Sequence, residues 1–229
     1  MWQFIVLLVG SYLIGSFPTA FLVVKWRYKA DIRHYGSGSV GASNVYRNFS
    51  KPLGLMVFIW DVAKGALVVW VSQILIMPPE YQAAAALAVV IGHNWPVFLK
   101  FNAGRGVATA AGAAMLLLPW VAVIVVVGEI ISILTRNSAI CVLVGFALMP
   151  IVGLILNESG SITLGLLGIF LILVLRRLTA PRTERSKAIN TRELMLNRIL
   201  FDRDIRDGKV WISFKPAEID KSPKPGKNK

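Results

Sequence analysis

The sequence predicts an all-α, polytopic integral membrane bundle of about seven spans with one short helix and glycine-rich loops on its cytoplasmic side. Three observations carry that expectation. The chain of 229 residues is 55% hydrophobic and only 16% charged, where a soluble domain of this size carries nearer a quarter. Several apolar runs reach or approach the roughly 20 residues needed to cross about 30 Å of hydrocarbon. The net charge of +13 is unevenly spread, with 15 of the 25 Lys and Arg lying between Arg176 and Lys229. A basic patch beside membrane spans marks the cytoplasmic side and anionic lipid rather than nucleic acid.

The first apolar stretch, Phe4 to Val24, has no positive charge before it and Lys25, Arg27 and Lys29 after it. It reads as a retained span with its N-terminus outside rather than a cleaved leader. Leu53 to Ile76, Ala83 to Leu99, Val107 to Leu134, Ala139 to Leu156 and Ile162 to Leu175 follow. Counting Val107 to Leu134 as one helix gives an even number of spans and leaves the basic C-terminus outside, against the positive-inside rule. Pro119 divides that stretch into Val107 to Leu118 and Trp120 to Leu134, giving seven spans. The first piece is about 18 Å long at 1.5 Å per residue, too short to cross alone, so protein must shield it. Its Ala and Gly content suits close packing.

Seven spans place Lys25 to Lys51, Lys100 to Arg105, Arg136 and the C-terminal segment in the cytoplasm. Pro78-Pro79-Glu80, a turn near Pro119, and Asn157 to Gly160 lie outside. Two regions result: residues 1–178 form the membrane domain, and residues 179–229 a basic cytoplasmic tail. In the tail, Ile189, Leu194, Met195, Leu196, Ile199, Leu200 and Phe201 alternate with Arg192, Arg198 and Arg203, which suits either an amphipathic surface helix or a solvated basic segment. Ser222 to Lys229 has a disordered composition. The lone Cys141 excludes an internal disulfide and is expected to be buried.

The least apolar part of the chain is Tyr35-Gly-Ser-Gly-Ser-Val-Gly-Ala-Ser-Asn-Val-Tyr-Arg47. Gly36, Gly38 and Gly41 spell G-x-G-x-x-G, but a dinucleotide site needs a preceding strand and a βαβ unit, and here a juxtamembrane segment precedes it. The physics of close backbone approach to a phosphate still applies. Ser37, Ser39, Ser43 and Asn44 add donors, and Arg47 offers a forked, charged pair. A flexible loop with an ordinary positive-inside arginine is the plainer alternative.

A second glycine-rich loop ends in Gly104-Arg105-Gly106, which opens directly into an apolar helix. Its N–H groups and dipole suit an anion, with Arg105 as counter-charge. His93 is either a general base or a structural histidine at a helix end. Asp61 and Lys64, three residues apart inside the second span, either support a site or neutralise each other. No H-x-x-x-x-D motif, G-x-S-x-G elbow, P-loop or metal-spaced His and Cys cluster occurs. A catalyst built here is expected to use neither cofactor nor metal and to work by positioning and charge.

At these loops the chain resembles the acyl-phosphate:glycerol-3-phosphate acyltransferases of bacteria, the PlsY family. Residues Tyr35 to Asn44 resemble its Y-G-S-G-N-x-G-A-T-N, with Arg47 at the expected offset, and Asp61-Val-Ala-Lys-Gly65 resembles D-x-x-K-G. Gly92 to Thr109 resembles G-H-x-F-P-V-F-L-x-F-K-G-G-K-G-V-A-T. The resemblance spans about Phe4 to Arg177 and implies a multi-pass protein of the bacterial inner membrane, with its N-terminus outside and C-terminus cytoplasmic. The implied reaction moves a fatty acyl group from acyl phosphate to glycerol 3-phosphate, giving lysophosphatidic acid and phosphate. Implied partners are these substrates, membrane lipids and the soluble enzyme that makes acyl phosphate.

By position, the resemblance implies that Ser37 and Arg47 are catalytic and hold phosphate. Gly36, Gly38, Gly41, Asn44, Gly104, Arg105 and Gly106 would bind substrate, supported by His93, Asp61, Lys64 and Ser138. The acyl chain is expected in an apolar groove between helices rich in small residues.

Departures lie downstream. Arg105 stands where the family has Lys, and Asn102 and Ala103 replace a Lys and a Gly. Ser138 matches the family's serine only with a one-residue shift. The third motif, roughly H-R-x-N-I-x-R-L, has no histidine or asparagine counterpart in Arg176-Arg-Leu-Thr-Ala-Pro181, and the long tail has no usual counterpart. These departures motivate a rival reading as a non-catalytic or altered-acceptor member of the fold. Intramembrane Asp61, Lys64 and Glu129 motivate a small transporter.

Overall fold

The computed structural model describes residues 2–135, 137–182, 186 and 188–212, and among these the regular structure is helical with no strand. The α-helices are α1 (Trp2–Ser16), α2 (Thr19–Tyr28), α3 (Ala42–Asn48), α4 (Lys51–Ile74), α5 (Pro79–Asn94), α6 (Val107–Leu117), α7 (Val121–Thr135), α8 (Ser138–Ile155), α9 (Gly160–Thr179), α10 (Thr191–Phe201) and α11 (Gly208–Ile212). Short 3₁₀ turns occupy Ile32–His34 and Val97–Leu99.

Local chemistry explains where the main helices begin. Ser50 accepts the Leu53 N–H at the start of α4, Ser159 accepts that of Ile162 at α9, and Asn190 accepts that of Glu193 at α10. Pro18 interrupts the first span, so α1 and α2 are two pieces of one 27-residue crossing, Trp2–Tyr28. Lys51–Ile74, Pro79–Leu99, Ser138–Ile155 and Gly160–Thr179 are also long and apolar enough to cross a membrane. The remaining apolar stretch divides at Pro119, as the sequence predicts: α6 stops at Leu117, Leu118 is extended, and α7 starts at Val121.

The short α6 is shielded by protein. Thr109, Ala110, Ala111, Gly112, Ala113 and Ala114 are all buried, with α4, α5, α7 and α9 packed around them. Glycines set the closest approaches. A Cβ on Gly65 would strike the Thr109 carbonyl, and one on Gly112 the Val62 carbonyl, so α4 and α6 cross with their backbones in contact. Gly15 and Gly92 do the same for α1 and α5, against Val89 and Tyr12. Van der Waals contact of this kind replaces the hydrophobic drive that lipid removes.

The largest core cluster runs from Val68 and Val69 through Ala85, Val89 and Leu117 to Met149, Ile169 and Leu173, joining α4 to α9. A second, smaller one (Ala20, Val24, Ile32, Val45, Val57, Leu99) underlies the first glycine-rich loop. Cys141 is half-buried rather than enclosed, since α8 lies toward the edge of the bundle. Connections α2–α4, α5–α6, α7–α8 and the segment after α9 all emerge at the same end. Here α10 packs on α9 and α8 with Leu194 fully buried, and α11 packs on α3. Arg136 and the Ser222 to Lys229 stretch lie outside the described residues.

Candidate active site

The first glycine-rich loop is shaped by its own polar side chains. Gly36 and Gly38 have φ of 53° and 69°, the left-handed region that glycine adopts without Cβ strain. Gly41 is extended and precedes α3. Asn44 is buried, and its amide N–H groups reach the carbonyls of Tyr35 at 3.0 Å and Ser39 at 2.9 Å while its oxygen accepts from Asn48 at 2.8 Å. Asn44 is thus turned into the loop and clamps it, rather than offering donors outward. Ser37 Oγ lies 3.4 Å from the Ser39 N–H and is half-buried at the loop surface. Beneath, Tyr35 packs on Phe49 with ring centroids 4.8 Å apart.

Arg47 projects from α3 and remains exposed overall. Desolvation of its guanidinium and then the like charges of Arg203 and Arg105 push it below the usual arginine pKa. One of those charges comes from the second loop and the other from the tail.

The second loop is held from α9. Arg176, buried at the C-terminal end of that helix, donates from Nε to the Gly104 carbonyl at 3.0 Å and from Nη2 to the Ala103 carbonyl at 3.0 Å and the Asn102 Oδ1 at 3.1 Å. Its guanidinium also lies over the Trp95 ring. Gly106 takes φ 72° with Asn94 against it, and Gly104 leaves room for the His93 ring. Arg105 is tied to the tail: its Nη1 donates to both the main-chain oxygen and the carboxylate of Asp202. Arg177 Nε lies 3.5 Å from the same carboxylate and its Nη groups reach the Ile199 and Ala139 carbonyls.

Below the loops is a buried polar cluster. Lys64 Nζ is 2.8 Å from Asp61 Oδ1, with both side chains only 4% exposed. His93 Nδ1 lies 3.7 Å from the same oxygen and 3.2 Å from the Thr109 hydroxyl. Asn94 is fully buried, and both ends of its amide lack a hydrogen-bond partner among the described residues, as do the Ser16 and Thr19 hydroxyls. Asp61, Lys64, His93, Ser16 and Thr19 line one small cavity.

Lys64 also lines a much larger space. An apolar groove of about 840 Å³ runs between α1 and α4, walled by Leu13, Phe17, Trp60, Leu67, Trp70 and Leu116 among others. The sequence led us to expect it between helices of small residues. The small residues instead bring α1 onto α5 at Gly15 and α4 onto α6 at Gly65 and Gly112, and the groove lies along other faces of α1 and α4, where Leu13, Trp60 and Trp70 stand.

The structure therefore brings Arg47 and Arg105 to one mouth and Asp61, Lys64 and His93 together beneath it, next to Gly104 and Gly106. Ser138 stands apart, exposed at the start of α8 beside Ala139, whose carbonyl receives Arg177. The Glu129 side chain lies outside the described residues. Sequence reasoning gave no site role to Arg176, Arg177, Asp202 or Arg203. The double arginine at the end of a span is a readable signal, since a positive-inside count needs no buried pair, yet both are under 6% exposed.

The family model for glycerol-3-phosphate acyltransferase matches residues 5–183. The chain belongs to that family. Glycerol-3-phosphate acyltransferase 5 of Dehalococcoides mccartyi is 42% identical over 96% of this chain and 97% of its own length. Glycerol-3-phosphate acyltransferase 4 of another strain of that species is 40% identical over 93% and 95%. Coverage this complete extends into the C-terminal segment, so these two relatives have a counterpart to most of it. The crystal structure of PlsY (YgiH), an integral membrane glycerol 3-phosphate acyltransferase in its glycerol 3-phosphate form, superposes with a TM-score of 0.74 at 26% identity, covering 91% of this chain and 97% of that one. The chain is thus an integral membrane acyltransferase with an all-helical fold.

Proposed function

We propose that this acyltransferase takes its acyl group from acyl phosphate and delivers it to the 1-hydroxyl of glycerol 3-phosphate, at the cytoplasmic face of a bacterial inner membrane. The observation that carries this reading is the apolar groove of about 840 Å³ that shares Lys64 and Phe17 in its wall with the small polar cavity of Asp61 and His93. A lipid chain and a small phosphorylated acceptor are thereby given adjoining compartments, as a donor with a long tail and a polar head requires.

In this reading the donor's acyl chain lies against Phe17, Trp60 and Trp70 and its phosphate is cradled by the Ser37 loop and Arg47. Glycerol 3-phosphate enters from the loop face, its phosphate held by the N–H groups of Arg105 that do not go to Asp202. The acceptor hydroxyl oxygen attacks the acyl carbonyl, the carbonyl carbon–phosphate oxygen bond breaks, and the hydroxyl proton passes to a phosphate oxygen of the leaving group. Acyl phosphate is a mixed anhydride and already activated, so the protein's task is orientation and stabilisation of charge. Asn44, Arg176 and the Asp61–Lys64–His93 cluster hold the loops in place. The charge asymmetry of the loops supports an outside N-terminus and a cytoplasmic tail, where a soluble acyl phosphate synthase has access.

The test is acylation of labelled glycerol 3-phosphate by purified protein in lipid nanodiscs supplied with acyl phosphate. Lysophosphatidic acid should form, and Arg47→Ala should lower kcat/KM by about 10²–10³. Formation of no product, under conditions in which a relative is active, refutes the assignment. Product with another acceptor instead would show that the changes at Asn102 and Arg105 have altered acceptor choice.

A further inference from the structure

The tail's contact with the site goes beyond docking. At the end of α10 the chain turns through Asp202, which has a left-handed φ of 54°. Its carboxylate and main-chain oxygen take Arg105, and the carboxylate also faces Arg177. The next residue in the chain is Arg203, directly after the carboxylate that holds Arg105. Arg198 secures the turn from behind, donating to Asp204 at 2.7 Å and to the Leu178 carbonyl at 2.7 Å. Beyond it, α11 packs against α3, the helix that carries Arg47.

Arg203 is held in a defined position. Its guanidinium lies over the Phe201 ring, 5.2 Å from the centroid. Gly208 supplies the space through which the head group passes, since a Cβ there would collide with Nη1. Its Nε is buried without a hydrogen-bond partner, and no carboxylate pairs with it among the described residues. Arg47 likewise has no carboxylate partner among them, and Arg203 is the first of the two positive charges that act on it. Guanidinium groups gathered this way repel one another, and an anion bound among them removes that cost.

We propose that the C-terminal segment completes the phosphate-binding mouth, with Arg203 as a third guanidinium beside Arg47 and Arg105 for a terminal phosphate dianion. The Asp202 turn sets Arg203's position, and the forks of Arg203, Arg47 and Arg105 offer the dianion multiple charge-assisted bonds. The inference rests on the function proposed above but concerns binding, so it can fail or stand separately from turnover.

Full-length protein in nanodiscs is titrated with glycerol 3-phosphate, and separately with a non-hydrolysable acyl phosphonate, for the parent and for Arg203→Gln, Arg203→Ala and Arg203→Lys. Hydrogen exchange over residues 191–212 reports whether the tail stays docked. With the tail docked, Arg203→Gln should weaken one or both ligands about tenfold, and Arg203→Lys should recover most of that. Loss toward glycerol 3-phosphate alone assigns the residue to the acceptor, and loss toward the phosphonate alone to the donor. Unchanged binding of both ligands by docked Arg203→Gln overturns the proposal. So does weakened binding in any variant only when the tail has come free, since that is a purely structural role. A parent that binds in an Arg203-dependent way but makes no product refutes the catalytic assignment and leaves this one intact.

Discussion

Replacing Lys64 with Met removes one partner of an ion pair whose two side chains are each 4% exposed and whose charges are 2.8 Å apart. Asp61 then keeps its buried place, 3.7 Å from His93 Nδ1, with its counter-charge gone. Breaking a buried pair from one side costs about 3–5 kcal/mol, because a charge is left without compensation, whereas replacing both partners by apolar groups is close to neutral. For a chain of this length, each kcal/mol corresponds to about 2–4 °C in Tm, so Lys64→Met should lower Tm by roughly 6–20 °C. The double variant Asp61→Leu/Lys64→Met should recover most of that loss. Thermal unfolding in one fixed detergent, followed by tryptophan fluorescence, completes the cycle. A Lys64→Met protein within about 2 °C of the parent, or a double variant no more stable than Lys64→Met, would show that the two charges are not coupled as the geometry requires.

Two further perturbations separate the loops from the groove. Arg176→Gln removes the fork that binds the Asn102–Gly104 strand, so the loop should loosen and KM for glycerol 3-phosphate should rise about tenfold, with the donor KM little changed; steady-state kinetics with each substrate varied in turn checks this, and an equal rise in both KM values contradicts it. Ala66→Trp places an indole in the groove between Lys64 and Trp70, a stretch of about 9 Å along α4 at 1.5 Å per residue, and should shift preference toward shorter acyl phosphates in a competition between chain lengths. No shift would mean that the chain lies elsewhere.

The membrane class, the division at Pro119 and the gathering of the charged loops at one end were legible from the one-dimensional pattern. Hydropathy length, proline and charge asymmetry act locally and need no knowledge of partners. The glycine pattern and Arg47 were legible as well, since the requirement for positive φ at Gly36 and Gly38 is a property of the residue. Asn44 shows where such reading stops: its amide looked like a donor for substrate, and only the folded loop reveals that it is consumed by the carbonyls of Tyr35 and Ser39. The groove was misplaced for a similar reason, because small residues invite a helix to approach as readily as they leave space, and which outcome holds depends on the facing surface.

The sequence by itself determined the apolar helical class, the end at which the charged loops gather and the family that the loops resemble, because each is written in composition or contiguous spacing. Tertiary structure alone decided that Arg176 staples a loop 72 residues earlier and that Arg105 meets a carboxylate 97 residues later. It also decided that α11, just after Arg203, packs against α3, the helix of Arg47. Those pairings depend on how helices α4, α6 and α9 cross, and the crossings are set by backbone contacts at glycines whose partners no local pattern names.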